Sequence, residues 1–415
     1  MLKEYFPDGT ELNEWFYNTG VATLDALGKQ YVINDYGVKD DGDIYTQEIQ
    51  SLINFVAENG GGVIVVPAGI YYSGALFFKQ GVHLYIAKGG ILRGSDDISD
   101  YPLCETRMEG ESCRYFSALI NVDSTDGFTM FGDGIIDGNG LRSWRAFWNR
   151  LEWNPKATNK DEQRPRLVYI SNSTNVTISG VTLQNSHFWT SHIYRCSRVR
   201  YLNCRFLSPS APVRAPSTDG IDVDACSDVL IKGCYFAVND DAVAFKGGKG
   251  PTADRMPENG ANERILIEDC GYGFCHSCLT LGSEAIHNKN ILARRLKVSK
   301  AVALFVLKIR PDTPQCYEYV TIEDVSGEIN TFLKIVSWKQ YFDMQSLQKK
   351  IRHTVENILV CSCDCRCDQD FWIVGDECLK DIKNFRLKNV KLKTKKGFDI
   401  KSLNGFIFED VTIYQ

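Results

Sequence analysis

Short apolar segments recur along the chain, and most of them begin with a polar residue. They occupy residues 175–178, 198–201, 228–231, 264–267, 290–293, 319–322 and 384–387. The second positions of the first six segments are separated by 23 to 36 residues, within the roughly 20–50 residues typical of repeat architectures. Most segments are followed by Asn, Gly or Asp and a second apolar run. This pattern predicts an all-β parallel β-helix, a solenoid whose coils hydrogen-bond to one another.

A β-propeller would need a period nearer about 40–50 residues and blade motifs, which the sequence lacks. Residues 46–57 carry apolar side chains at helical spacing and predict one helix, which Gly60 would end. We expect residues 1–30 to form an extension packed on the main body and residues 31–415 to form one catalytic β-helix domain. Residues 246–263 and 339–350 interrupt the repeat, and the first of these insertions is expected to wall the functional site.

Composition excludes some classes of partner. The 415 residues are 44% hydrophobic and 24% charged, with a net charge of −5. No basic run dominates, so we expect no nucleic-acid partner. No run approaches the ~18 apolar residues of a membrane span, so we expect no membrane partner.

Cysteine usage predicts the compartment. The chain has fifteen cysteines, an odd number, and no apolar leader at its start, so we expect a reducing, cytoplasmic location, with secretion as the alternative if a leader was removed. The run 361–367 contains four cysteines at alternate positions. A strand there would present four thiols on one face, and the spacing differs from the Cys-x2-Cys of zinc sites.

Two aspartate-rich segments stand out against this repeat. Asp219 lies in residues 217–224, and Asp240 and Asp241 lie in residues 239–246. Asp is common in turns, and that structural role is the simplest interpretation. The repeat, however, places the two segments about one coil apart, and adjacent strands are ~4.8 Å apart. Three carboxylates held so close share protons unequally, as acid–base catalysis requires.

Four motifs in order resemble the polygalacturonase family, glycoside hydrolase family 28. They are Ser217-Thr218-Asp219, Asp240-Asp241, Cys275-His276-Ser277 and Lys308-Ile309-Arg310, where the family has Asn-Thr-Asp, Asp-Asp, Gly-His-Gly and Arg-Ile-Lys. The resemblance implies a right-handed, single-stranded β-helix that hydrolyses α-galacturonosyl linkages in pectin or pectic oligosaccharides with inversion. It implies no metal and no cofactor.

The resemblance also implies roles for individual residues. Asp240 would be the general acid, Asp219 and Asp241 would activate water, and His276 would support the acid. Substrate contacts would come from Lys308 and Arg310, which would hold a carboxylate, and from Ser217 and Tyr341. Exo-action on short oligosaccharides would suit a reducing compartment. A one-coil separation of the carboxylates suggests retention instead of inversion.

Departures from the family pattern leave alternatives open. Ser217 replaces an asparagine, Cys275 and Ser277 replace two glycines, and the basic pair is reversed. A rhamnogalacturonan-type hydrolase on the same fold is one alternative. The others are a pectic polysaccharide lyase, which needs a base beside a bound cation, and a non-catalytic carbohydrate-binding solenoid, against which three intact aspartates argue.

Overall fold

The computed structural model describes residues 3–345, 351–373, 381–397 and 404–415. Parallel strands of successive coils form one continuous sheet of a right-handed, single-stranded β-helix, as predicted. Its strands are Gln30–Val32, Gly62–Val66, Gly69–Ser73, Leu76–Phe78, Val82–Ile86, Gly90–Gly94, Ile120–Asp123, Thr129–Gly132, Ile135–Asp137, Val168–Ser171, Thr174–Ser179, Thr182–Gln184, Ser191–Tyr194, Ser197–Leu202, Arg205–Leu207, Ile221–Asp224, Ser227–Lys232, Tyr235–Ala237, Asp241–Lys246, Ala261–Glu268, Gly271–Cys275, Ser277–Leu281, His287–Ile309, Gln315–Ser337, His353–Ile373, Ile382–Lys396 and Phe406–Tyr414.

The remaining elements lie outside this sheet. Leu103–Met108 and Glu111–Phe116 form an antiparallel hairpin. The α-helices are Glu14–Tyr17, Thr46–Glu58 and Leu141–Trp153, and the 3-10 turns are Asp25–Leu27, Ile33–Tyr36, Ile98–Asp100 and Ala253–Arg255. Among the described residues, none of the helices has the length and apolar character needed to cross a membrane.

The predicted repeat is confirmed by the strand register. The second positions of the predicted segments pair directly from coil to coil, and an unpredicted rung, Ile358, joins them. The ladder runs through Val176, Val199, Val229, Ile265, Ile291, Val320, Ile358 and Phe385. The residue before each rung has φ between 50° and 57°. This left-handed conformation turns the chain and is cheapest for Gly, Asn and Asp.

Apolar packing attaches both the helix Thr46–Glu58 and the N-terminal residues to the solenoid. The helix Thr46–Glu58 confirms the predicted one and buries Ile49, Leu52, Ile53 and Val56 against the first coils. Residues 3–29 lie across the outside of the solenoid. Phe6, Leu12 and Phe16 pack there on a column of outward leucines, Leu202, Leu230, Leu266 and Leu292.

The cysteines of residues 361–367 do not share one face. Cys363, Cys365 and Cys367 are buried in the core, whereas Cys361 lies on the outside. Ser362 between them has φ 53°, so the chain turns there and the alternation of an extended strand is broken. Every cysteine in the described ranges is a free thiol.

Candidate active site

Three aspartates meet in one cleft of the solenoid. Asp219 precedes the strand Ile221–Asp224, and Asp240 directly precedes the corresponding strand of the next coil, Asp241–Lys246. One carboxylate oxygen of each aspartate lies within 4.8 Å of the others. The cleft has a volume of about 480 Å³, which is in the range of about 300–1,000 Å³ found for small-molecule sites. The repeat therefore brings together the residues that the sequence predicted.

His276 and Lys308 complete this cluster from the following two coils. The backbone amide of His276 donates to the carbonyl of Asp240 at 2.9 Å, and its Nδ1 lies 3.4 Å from Asp240 Oδ1. Lys308 Nζ donates to Asp241 Oδ2 at 2.7 Å, and Ser277 Oγ donates to Asp241 Oδ1 at 2.8 Å. Asp240 is therefore paired with a histidine and Asp241 with a lysine.

The environments of the aspartates separate their pKa values. Burial, followed by the charge of Asp240, raises the pKa of Asp219 well above its usual range. Burial alone would also raise the pKa of Asp240, but the contacts with His276 and the charge of Lys308 outweigh it and lower that pKa. The same contact with Asp240 raises the pKa of His276. Groups with divergent pKa values in one cleft are typical of acid–base sites.

A second layer of charge lies beneath the aspartates. Lys246 Nζ lies 3.5 Å from Asp222 Oδ1 and 3.4 Å from Glu284 Oε2. Burial raises the pKa of Asp222 to about 8, although Lys246 opposes this shift. Burial would raise the pKa of Glu284, but the charges of Lys246 and Arg310 lower it to about 2. Lys246 and Lys308 thus supply positive charge that balances the carboxylates of the cleft.

Arg310 and Tyr341 do not line the cleft. The strand containing Lys308 ends at Ile309, so strand alternation does not place Arg310 beside Lys308, and Arg310 is fully buried. Its Nε and Nη2 donate to Asp312 at 2.8 and 2.7 Å. Arg310 Nη2 also donates to the carbonyl of Tyr341 at 3.3 Å. The arginine therefore fixes the second insertion behind the cleft, whose described part extends to residue 345.

Ser217 belongs to the rim of the cleft. Its Oγ donates to Asn159 Oδ1 at 3.4 Å, and Asn159 Nδ2 donates to Glu109 Oε1 at 2.9 Å. A Cβ placed on Gly110 would lie only 2.8 Å from the Cβ of Glu284. A continuous edge therefore runs from Ser217 through the hairpin tip to Glu284. The first insertion, predicted as a wall, contributes only Lys246 to the cleft lining.

Sequence reasoning missed several residues of the lining, among them Lys334, Trp338 and Gln340. Lys334 is half-buried, and its Nζ lies 5.2 Å from the centre of the Trp372 ring. Within the described residues it has no carboxylate partner. The strand register could have placed Lys334 near the cleft, because Lys334 pairs with Val306, which lies two residues before Lys308.

The fold and the acid–base cluster define a β-helix protein with a carboxylate active site. Residues 101–302 of the chain match the sequence profile of glycosyl hydrolases family 28. A probable polygalacturonase of Vitis vinifera is 30% identical over 51% of this chain and 43% of its own length. An endo-polygalacturonase of Pectobacterium parmentieri is 29% identical over 63% of this chain and 64% of its own length. The chain thus spans less than two thirds of these relatives.

Solved structures extend the likeness to the whole fold. The exopolygalacturonase of Thermotoga maritima superposes with a TM-score of 0.80, covering 93% of this chain and 92% of that one at 20% identity. At this identity the likeness establishes the parallel β-helix and nothing finer.

Proposed function

We propose that this protein hydrolyses α-galacturonosyl linkages in pectin or pectic oligosaccharides. The observation that carries the proposal is the cluster of Asp219, Asp240 and Asp241 beside His276 on a chain that matches the family 28 profile. The names of the relatives, polygalacturonase and endo-polygalacturonase, support the same substrate class. Incubation with a panel of galacturonan and rhamnogalacturonan oligosaccharides, followed by reducing-sugar detection, tests it. Release from rhamnogalacturonan alone, or an ultraviolet-absorbing unsaturated product, would replace it with one of the alternatives.

In the proposed reaction the bond between C1 and the leaving oxygen breaks as water attacks C1. Asp240, with His276 beside it, gives a proton to the leaving oxygen. Asp219 and Asp241 accept the proton that the attacking water loses. One proton is donated and one accepted, so the reaction needs no cofactor to balance.

The stereochemical outcome is proposed to be inversion, following the family resemblance. The observed oxygen separations of at most 4.8 Å are shorter than the ~6.5–9.5 Å usual for inverting pairs. Proton NMR of the first product, recorded before mutarotation, decides between the two outcomes. An initial β-anomer from an α-linked substrate supports inversion, and an initial α-anomer would establish retention.

The acidic substrate is proposed to bind through the cations of the cleft. Lys308 already bonds to Asp241, and Arg310 is buried behind the lining. Lys334, which faces the cleft without a described carboxylate partner, is the better candidate to receive a uronate carboxylate. Arg310 is then a positioning residue, since it holds residues 340 and 341 through their carbonyls.

Exo-action is proposed because the edge from Ser217 to Glu284 closes one side of the cleft. A closed side accommodates the end of a chain better than its middle. Digestion of defined oligogalacturonides tests this. We expect one short product from the earliest time point and little loss of viscosity from polymeric substrate. A ladder of intermediate lengths would indicate endo-action.

A further inference from the structure

A second cluster of metal-ligating groups lies on the outside of the solenoid. Donor atoms of His287, Cys316 and Glu318 lie within 4.8 Å of one another, and none of these residues lines the carboxylate cleft. We propose that these three side chains bind a divalent transition-metal ion of the zinc type. The proposal does not depend on the hydrolytic activity.

The β-helix register brings the three side chains together. His287 begins the strand His287–Ile309 and pairs with Cys316 on the next coil. Cys316 and Glu318 are alternate residues, so they project to the same side of their strand. The neighbouring residues Gln315 and Tyr317 are buried, whereas all three proposed ligands are partly exposed. The fold therefore presents an imidazole, a thiol and a carboxylate on one outer surface.

The donor set fits zinc chemistry. Imidazole nitrogen, thiolate sulfur and carboxylate oxygen bind Zn²⁺ at about 2.0–2.3 Å, which separates tetrahedral donors by roughly 3.3–3.8 Å. His287 Nε2 and Glu318 Oε1 are now 2.9 Å apart. A side-chain movement of about half an ångström would therefore make room for the ion. Hard cations such as Mg²⁺ prefer oxygen ligands alone.

The surroundings provide a fourth ligand. A hollow of about 490 Å³ opens beside His287 and Cys316 and is also lined by Asp254 and Glu356. Glu356 pairs in register with Glu318 on the following coil. Either carboxylate, or a water in the hollow, would complete a four-coordinate site.

Two features oppose metal binding and set its cost. Arg352 also lines the hollow, and its charge repels a cation. Burial, then the charges of Glu318 and Glu356, raises the pKa of Cys316 to about 11, so the ion must displace the thiol proton. Another nearby cation, Lys289, has its Nζ 3.9 Å from Asp8 Oδ2.

Cys361 provides a matched control within the same chain. It is also a half-exposed thiol on the outside of a coil, and it lies 4.0 Å from a carboxylate oxygen of Glu323. In the described part of the chain no histidine joins this pair in a metal-ligating group. A difference between Cys316 and Cys361 therefore reports the complete ligand set and not an accessible thiol alone.

The test is a Co²⁺ titration of the chelator-treated full-length protein, followed by the near-ultraviolet thiolate-to-cobalt absorption. We expect one equivalent of Co²⁺ to saturate the band and Zn²⁺ to displace it. Cys316→Ser should abolish the band, whereas Cys361→Ser should leave it unchanged. A cation in the aspartate cleft gives no such band because none of the described cysteines lines that cleft.

His287→Gln and Glu318→Gln retain the thiol and guard against a misfolded Cys316→Ser protein. Each should weaken Co²⁺ binding at least tenfold, with a melting temperature near that of the parent in the absence of metal. Absence of the band in the parent protein, or its persistence in Cys316→Ser, would overturn the proposal. Unchanged affinity in both glutamine variants would overturn it as well.

Discussion

Replacing Lys334 by methionine tests which cation of the cleft recognises the substrate carboxylate. Methionine keeps most of the apolar length of the side chain while removing the charge. Burial, then the neighbouring charge of Lys308, lowers the pKa of Lys334. A negative substrate group beside it would reverse part of this effect, so the site favours an anion.

The expected magnitude follows from burial. A hydrogen bond to a charged group contributes about 1.5–3 kcal/mol net when well formed, and an exposed ion pair contributes about 1 kcal/mol or less. Lys334 is half-buried, so we take about 1.4–2 kcal/mol, close to the lower limit for a hydrogen-bonded charge. At about 1.4 kcal/mol per factor of ten, KM for a galacturonide should rise about ten- to thirtyfold.

The assay compares KM and kcat on a free galacturonide and on its methyl ester. Lys334→Met should raise KM on the free acid, leave the ester nearly unaffected and retain kcat within about threefold. Lys334→Arg should retain most of the affinity, and Lys300→Met, which removes an exposed lysine outside the cleft, should have no effect. Equal losses on acid and ester would show that Lys334 is structural and would refute the reasoning.

The other predictions concern the acid, its pH dependence and the thiols. Asp240→Asn should lower kcat by about 10²–10⁴-fold without unfolding the protein; activity within threefold of the parent would exclude Asp240 as the acid. Because the pKa of His276 is raised above 6.5, kcat/KM should fall as pH rises through that higher value, and His276→Gln should shift this fall. An unchanged pH profile would separate His276 from the acid. Since the described cysteines are free thiols, a reductant should leave the melting temperature unchanged, and a drop of many degrees would reveal structural disulfides.

Much of the fold could be predicted because a solenoid repeats one local rule. The segment containing Val229 has the same pattern as the segment containing Val199, and the two residues pair directly. The hairpin Leu103–Phe116 could not be found in this way. It is antiparallel, interrupts the repeat and carries the fully buried Arg107, whose Nε donates to Asp224 at 3.0 Å. That contact joins residues far apart in sequence and leaves no local pattern.

The candidate site likewise contains some residues that follow the repeat and others that do not. Asp219 and the Asp240–Asp241 pair were predictable because each precedes or begins the corresponding strand of its coil. The family resemblance implied that Arg310 would contact the substrate beside Lys308, but the strand ends at Ile309 and Pro311 follows. Glu109 and Asn159 reach the cleft from insertions, so no spacing in the sequence places them there.

The position of the proton links the structure to the proposed mechanism. In the substrate-free protein the raised pKa belongs to Asp219 and the lowered pKa to Asp240. The proposed reaction needs the opposite distribution, with Asp240 protonated and Asp219 ionised. Their oxygens lie within 4.8 Å, and His276 Nδ1 lies 3.4 Å from Asp240 Oδ1, so a shift of protons inside the cluster suffices. Because this shift exchanges no proton with solvent, binding of the sugar can set the active protonation state of the cluster.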